Sequence, residues 1–279
     1  MAKRGNPTPQ KPQVADAAAF RRLLHSQGPV SKGLNAHRER LAPTAVVEVV
    51  AQLFATPVYA SAFATNPFPT RFEAIKPRRA LAPASPQLDL IWNAAVLGRY
   101  AARLAAYVTL RDAFYDCISG AAYDTAHELL AKIESEFGVS IWLAFSRLLL
   151  IQQSRGLAAQ KRYLQEIVER PTVNPFFAYL AFYFSFGLED NVSVTELNRE
   201  LDQLSDAGAP EGVVGYFRYH ASPLGLSAVG NPYNCITLEE NSPIIDRFET
   251  YCEMSQLIAD DPLVVSLLEN RSVESAITP

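Results

Sequence analysis

Glycine and proline divide the stretch from Gly120 to Pro171 into short helical segments, and this spacing constrains the fold more than any other feature. After Gly120, apolar residues recur at helical spacing on one face of AAYDTAHELLAKIESEFG, which Gly138 closes. The next segment, VSIWLAFSRLLLIQQSRG, is apolar nearly all round, with Ser140 placed to cap its first turn. A third segment, LAAQKRYLQEIVER, ends before Pro171, which cannot continue a helix. The pattern predicts successive helix-turn-helix units.

These segments also repeat along the chain. An offset of about 33 residues places Ala126 over Ala159 and Leu130 over Tyr163. The small residue lets paired helices approach closely, and the larger one a turn later fills the groove between them. Arrays of helix pairs have a period of this size, about 34 residues in tetratricopeptide repeats.

Residues 120–171 therefore resemble tetratricopeptide-like helical repeats. The positions closest to the GxYxxA pattern and its following apolar residue are Gly120, Tyr123, Ala126 and Leu130, although Tyr123 stands one place late. The resemblance implies antiparallel helix pairs and a surface that binds a protein partner. Together with the periodicity, it predicts an all-α fold, either repeat-like or an irregular helical bundle.

The remaining chain is divided by its prolines and helix-start signals. We predict a disordered tail over residues 1–12, a basic Pro-rich segment with short helices over 13–85, and a helical domain over 86–279. The Pro-rich part either wraps the helical body or separates two parts. Within the helical domain, starts are expected at Ser85-Pro86, Ser193 and Ser242-Pro243, and a long helix is expected from Pro86 with a bend near Gly98.

One predicted helix, FFAYLAFYFSFG, is aromatic and apolar on every face, which is typical of a core helix. It is shorter than the roughly 20 residues that a membrane span needs, so no membrane partner is expected. We interpret the aromatic residues of this helix and of EGVVGYFRYH as core packing. They are Tyr179, Phe182, Tyr183, Tyr216, Phe217 and Tyr219.

Cysteine spacing and the N-terminus predict a cytoplasmic protein. The three cysteines, Cys117, Cys235 and Cys252, have no C-x-x-C spacing, so neither a disulfide framework nor a zinc ribbon is predicted. The N-terminal MAKRGNPTPQKPQ lacks the apolar segment of a secretory signal.

No phosphate-binding, dinucleotide-binding, zinc-protease or serine-hydrolase motif occurs in the sequence, so we predict no catalytic residue, cofactor or metal. His127 fits a solvated helix face, and His220 fits a helix end, where the dipole favours a cation. Adjacent carboxylates at Glu239-Glu240 and Asp260-Asp261 fit ordinary helix punctuation. An enzyme whose site is assembled from distant residues stays an alternative.

Charge is unevenly distributed. Residues 1–99 carry 13 Lys and Arg against 5 Asp and Glu, whereas residues 100–279 carry 12 against 24. One hypothesis is that the basic third binds nucleic-acid phosphates, with Phe68 and Phe72 stacking on bases. The other, which we favour, is that its cations dock on the acidic body. The candidate phosphate-binding residues are Arg71, Lys76, Arg78, Arg79, Arg38 and Arg40.

A further pair in the basic third is Glu73 and Lys76, which invites comparison with metal-dependent nucleases. The E-x-x-K spacing without a preceding Asp fits a solvated turn better.

The leading functional hypothesis is a non-catalytic protein–protein interaction or scaffold module. By analogy of architecture, such modules serve as sensor or assembly parts of multi-subunit bacterial systems, including defence systems. The alternatives are a nucleic-acid-binding protein and an enzyme.

Overall fold

The computed structural model describes residues 18–20, 22, 30–60, 66–75, 86–170 and 172–259. Within these ranges the chain forms helices and no strand, which confirms the all-α prediction. From residue 30 onwards the α-helices are α1 Val30–His37, α2 Val46–Phe54, α3 Pro57–Ala60, α4 Pro86–Gly98, α5 Ala101–Ser119, α6 Tyr123–Phe137, α7 Ile141–Arg155, α8 Leu157–Val168, α9 Pro175–Gly187, α10 Val194–Asp206, α11 Glu211–Ala221, α12 Tyr233–Leu238 and α13 Ile244–Ala259.

The helices from α5 to α11 stack as neighbouring pairs. Each packs against the next one along the chain, and α7, α9 and α11 also pack side by side. Rings of α5 contact α7, since Tyr107 lies edge-on to Trp142 with centroids 5.3 Å apart. One row thus consists of α5, α7, α9 and α11, and the other of α6, α8 and α10. This arrangement is compatible with a helical-repeat fold.

Local capping explains where these helices begin and end. The Ser140 hydroxyl accepts from the main-chain N–H of Leu143, as predicted for the start of α7. Ser193 caps α10 by accepting from the N–H of Glu196 at 3.1 Å. Gly138 follows α6 with a φ of 76°, a conformation that favours glycine. The long helix expected from Pro86 is two helices, because the chain turns at residues 99–100.

The aromatic helix α9 is only partly a core helix. Phe177 and Leu180 are fully enclosed, but Tyr179 is 58% and Phe182 48% exposed. Neighbouring helices cover one side of α9, so residues at the same helical spacing on the other side face outward. The prediction that Tyr179 and Phe182 pack in the core is therefore wrong.

Residues 66–75 of the Pro-rich part lie against the helical body. The carbonyl of Pro69 accepts from the N–H of Val139 at 2.7 Å, and the carbonyl of Pro67 accepts from the N–H of Ile244 at 2.9 Å. Phe72 stacks on Phe177 with centroids 5.5 Å apart. The sequence predicts a Pro-rich part that either wraps the helical body or separates two parts. Its described residues 66–75 wrap the body.

A buried ion-pair network joins the N-terminal helices to the C-terminal part. The guanidinium of Arg38 lies 2.6 Å from Asp89 and 3.1 Å from Glu240, and all three side chains are almost fully buried. Nearby, Arg247 donates to the side-chain oxygen of Asn93 at 2.6 Å. Burial lowers the pKa of Arg247 to about 10. The network holds elements distant in sequence together.

Among the helices that the structure describes, none is long and apolar enough to cross a bilayer.

Candidate functional site

A cavity lies where α13 packs against the row formed by α5, α7, α9 and α11. Its volume is ≈ 570 Å³, within the range of about 300–1,000 Å³ typical of ligand sites. Each of these helices contributes to the lining, as does the turn after α11. The side chains that matter for its chemistry are Arg111, Tyr115, Trp142, Phe145, Phe184, Tyr219, His220, Asp246, Glu249 and Glu253.

Aromatic rings form one wall of the cavity. The indole N–H of Trp142 donates to the hydroxyl of Tyr115 at 3.1 Å, which links α7 to α5. Phe145 stacks on Phe184 with centroids 4.0 Å apart and thereby links α7 to α9. Tyr219 completes this wall from α11. The apolar surface is therefore fixed by contacts between neighbouring helices of one row.

Three carboxyl groups of α13 also line the cavity. Asp246, Glu249 and Glu253 follow one another at helical spacing, so they share a face of α13. Glu249 accepts from the guanidinium of Arg111 at 2.9 Å, and Glu253 accepts from the main-chain N–H of Leu226 at 2.6 Å. Both glutamates are held in place by partners on other elements.

Asp246 binds the N-terminus of α7. Its two carboxylate oxygens accept from the N–H groups of Ile141 and Trp142, both at 2.9 Å. An anion is favoured here because the first N–H groups of a helix lack partners within the helix. Burial and the charge of Glu239 nevertheless raise the pKa of Asp246 well above its ordinary value, since they outweigh the two N–H donors.

This raised pKa predicts a dependence of stability on pH. Between the ordinary value of about 3.9 and the folded-state pKa of Asp246, the folded chain holds a proton that the unfolded chain has released. The contribution of Asp246 to the free energy of unfolding therefore falls as pH rises through that interval. We expect Asp246→Asn to remove this contribution, so that the variant gains stability relative to the wild type as pH rises.

Urea unfolding at several pH values from about 4 to 8 measures that relative change. The two proteins should differ least at the acidic end, because protonated Asp246, like asparagine, offers the two main-chain N–H groups only one good acceptor oxygen. Asp206→Asn, at the exposed end of α10, is the matched control. A difference between wild type and Asp246→Asn that stays constant with pH would contradict the prediction.

His220 connects the cavity to a buried carboxylate. Its ring lies 4.5 Å from the ring of Tyr216, and its Nε2 is 3.4 Å from a carboxylate oxygen of Glu239. The hydroxyl of Tyr216 donates a hydrogen bond to the same oxygen. His220 does occupy the last turn of α11, but it also lines the cavity, which the sequence interpretation missed.

The interpretation of Glu239-Glu240 as ordinary helix punctuation is wrong. Both residues are buried in a short 3₁₀ turn before α13. Glu239 pairs with Tyr216, and Glu240 pairs with Arg38. Buried carboxylates need such partners because their charge loses its solvation. Asp260-Asp261 lies outside the described residues.

His127 lies on α6, away from the cavity, and is partly buried rather than fully solvated. Burial lowers the pKa of its ring, and the charges of Arg155 and Arg147 act in the same direction, against Asp124. The ring is therefore neutral at physiological pH.

The candidate phosphate-binding residues do not form one described surface. Arg38 is enclosed by its ion pairs, so it stabilises the fold and does not reach the surface. Arg40 is partly exposed and lies beside His37, and Arg71 is exposed. The remaining candidates, Lys76, Arg78 and Arg79, lie outside the described residues. Arg38 pairs with Glu240 of the acidic body, as the docking hypothesis expects, and also with Asp89, which belongs to the basic third.

Other reactive groups near the cavity are limited. Burial and the charge of Glu249 raise the pKa of Cys252 to about 11, so this thiol stays protonated at neutral pH. All three cysteines are free. In the part of the chain that the structure describes, no group of three His, Cys, Asp or Glu side chains has an arrangement that could hold a metal ion.

Sequence reasoning missed most of this site, although one signal was present. Asp246, Glu249 and Glu253 recur along one helix at positions that share a face. Such a row indicates either a solvated face or a polar site, and only tertiary packing decides between them.

A comparison of the chain with protein-family models, with curated proteins and with solved structures finds no match.

Proposed function

We propose that this protein is a non-catalytic interaction module, one part of a larger assembly, which holds a segment of a partner protein in the cavity beneath α13. The observation that carries the proposal is the cavity itself: an open space of ≈ 570 Å³ that combines a fixed aromatic wall with a row of carboxylates. Stacked helix pairs bind partners along such faces. Aromatic side chains in a pocket supply most of the binding energy in many interfaces, and polar groups set the specificity.

Rigid support for the walls favours binding without reorganisation. Trp142 and Tyr115 are joined by a hydrogen bond, and Asp246 is fixed by two main-chain donors. A preformed site loses little conformational entropy when a partner binds.

A cavity-filling substitution tests this function. Leu149 is a half-buried residue of α7 that lines the cavity, and Leu149→Trp should occupy part of the space. We expect the tagged wild-type protein to co-purify from its native host with a partner in a fixed ratio. The variant should recover at least about tenfold less of that partner.

The matched control is Leu157→Trp, the same exchange at an exposed position of α8 outside the cavity. It should recover the partner as the wild type does, and both variants should keep the wild-type helical spectrum. Equal recovery by a folded Leu149→Trp protein would show that the partner binds elsewhere, and the proposed function would then be wrong.

A further inference from the structure

We infer that the cavity accepts a basic side chain, Lys or Arg, of the partner segment. This inference rests on the proposed function and names the chemistry that the site recognises. The partner is a polypeptide segment, because stacked helix pairs bind such segments along their faces.

The charges that line the cavity do not balance. Among the described residues that line the cavity, Glu249 and Glu253 supply two carboxylates and Asp246 supplies a third carboxyl group with a raised pKa, whereas Arg111 supplies one guanidinium. Arg111 is also shared, since it donates at 2.9 Å both to Glu249 and to Asp112 outside the cavity. The ring of His220 also lines the cavity, and its Nε2 lies 3.4 Å from a carboxylate oxygen of Glu239. The site therefore has an excess of negative charge.

The carboxylates are also poorly solvated. Burial raises the pKa of Glu249 even though Arg111 acts in the opposite direction, and it raises that of Asp246 as well. A cation that entered the cavity would stabilise the ionised forms of both groups. A neutral or anionic side chain would not.

The aromatic wall suits the same ligand. A guanidinium or ammonium group is attracted to the face of an aromatic ring, most strongly to tryptophan. Trp142 and Tyr115 are both partly exposed and line the cavity together with the acidic residues of α13. The methylene groups of a Lys or Arg side chain can pack on these rings while the charged end reaches the carboxylates.

Glu253 is the carboxylate best placed to bind the charged end. It is partly exposed, and one of its oxygens is oriented by the N–H of Leu226. Gly225 makes this contact possible: a Cβ there would lie 1.9 Å from that same oxygen. The N–H of Leu226 thus fixes the carboxylate of Glu253 in the cavity.

Tryptophan fluorescence can test the inference directly. The chain has two tryptophans, and Trp92 is 1% exposed, so a ligand in the cavity is reported by Trp142. The probes are Nα-acetyl-arginine methylamide and its neutral isostere, Nα-acetyl-citrulline methylamide. We expect the arginine probe to saturate the signal with a Kd of about 1 mM and the citrulline probe to bind at least about tenfold more weakly.

The same titration of the variant Glu253→Gln is the second part of the experiment. Glutamine keeps the oxygen that accepts from Leu226 but removes the charge, so the fold should be retained. It should weaken the arginine probe about fivefold to tenfold. Glu200→Gln, on α10 outside the cavity, should leave the affinity unchanged.

Equal affinities for arginine and citrulline, saturation by neither probe, or full affinity in Glu253→Gln would each overturn the inference. Two combined outcomes distinguish failure of this inference from failure of the proposed function. If Leu149→Trp loses the partner while the probes do not discriminate charge, the cavity binds a partner through another side chain. If the arginine probe binds but Leu149→Trp keeps the partner, the cavity binds cations and the partner binds elsewhere.

Discussion

Replacing Arg38 by alanine should lower the free energy of unfolding by about 3–5 kcal/mol. The substitution removes the cation that lies 2.6 Å from Asp89 and 3.1 Å from Glu240, both of which stay buried. Deleting one member of a buried ion pair costs much more than the pair itself contributes, since it leaves charge in a medium that solvates it poorly. Urea unfolding followed by circular dichroism measures the loss.

Arg199→Ala is the control for this experiment. Its guanidinium is 66% exposed and pairs with Glu196 and Glu200 on the surface of α10, where such contacts contribute at most about 1 kcal/mol. A loss below about 1 kcal/mol in Arg38→Ala would contradict the structural role. A stable Arg38→Ala protein with weakened nucleic-acid binding would instead favour the phosphate-contact hypothesis.

Gly138→Ala should be comparably damaging, with a loss of about 3–5 kcal/mol. Two effects combine. The φ of 76° is a conformation that residues with a Cβ rarely adopt, which costs about 1–3 kcal/mol. In addition, the new Cβ would lie 2.2 Å from the carbonyl oxygen of Pro69. That oxygen accepts from the N–H of Val139, so it cannot move without breaking the contact.

Gly156→Ala separates the two effects. Gly156 has a φ of 79°, close to that of Gly138, but a Cβ there would meet nothing within 4 Å. It should lose only the strain of about 1–3 kcal/mol. The difference between the two variants in urea unfolding then measures the contact with the Pro-rich segment. Equal losses would mean that the carbonyl of Pro69 does not pack against Gly138 in solution.

Local signals explain why the helical body could be predicted. Ser140 and Ser193 act within one turn of the chain, so their hydroxyls mark the starts of α7 and α10 in any surroundings. The helix-pair period likewise reflects contacts between neighbours in sequence. The family resemblance and the domain boundaries stay predictions, because no contact in the structure decides them.

Contacts between distant residues explain what could not be predicted. The cavity exists because α13 packs on helices that precede it by about 100 residues, as the bonds from Asp246 to Ile141 and Trp142 illustrate. Similarly, a helix that is apolar all round gives no indication of which side its neighbours cover. The sequence therefore predicts Tyr179 and Phe182 in the core, whereas both are exposed. Periodicity reports on one helix, whereas a site depends on several.

The carbonyls of Pro67 and Pro69 make residues 66–75 part of the helical body, so a truncated chain should keep them. A fragment that started at Pro86, the natural place to cut from the sequence, would strip the N–H groups of Ile244 and Val139 of their acceptors. It would also uncover Phe177, on which Phe72 is stacked. Ile244 begins α13, which carries the three acidic residues of the cavity. Removing residues 66–75 would therefore disturb the cavity.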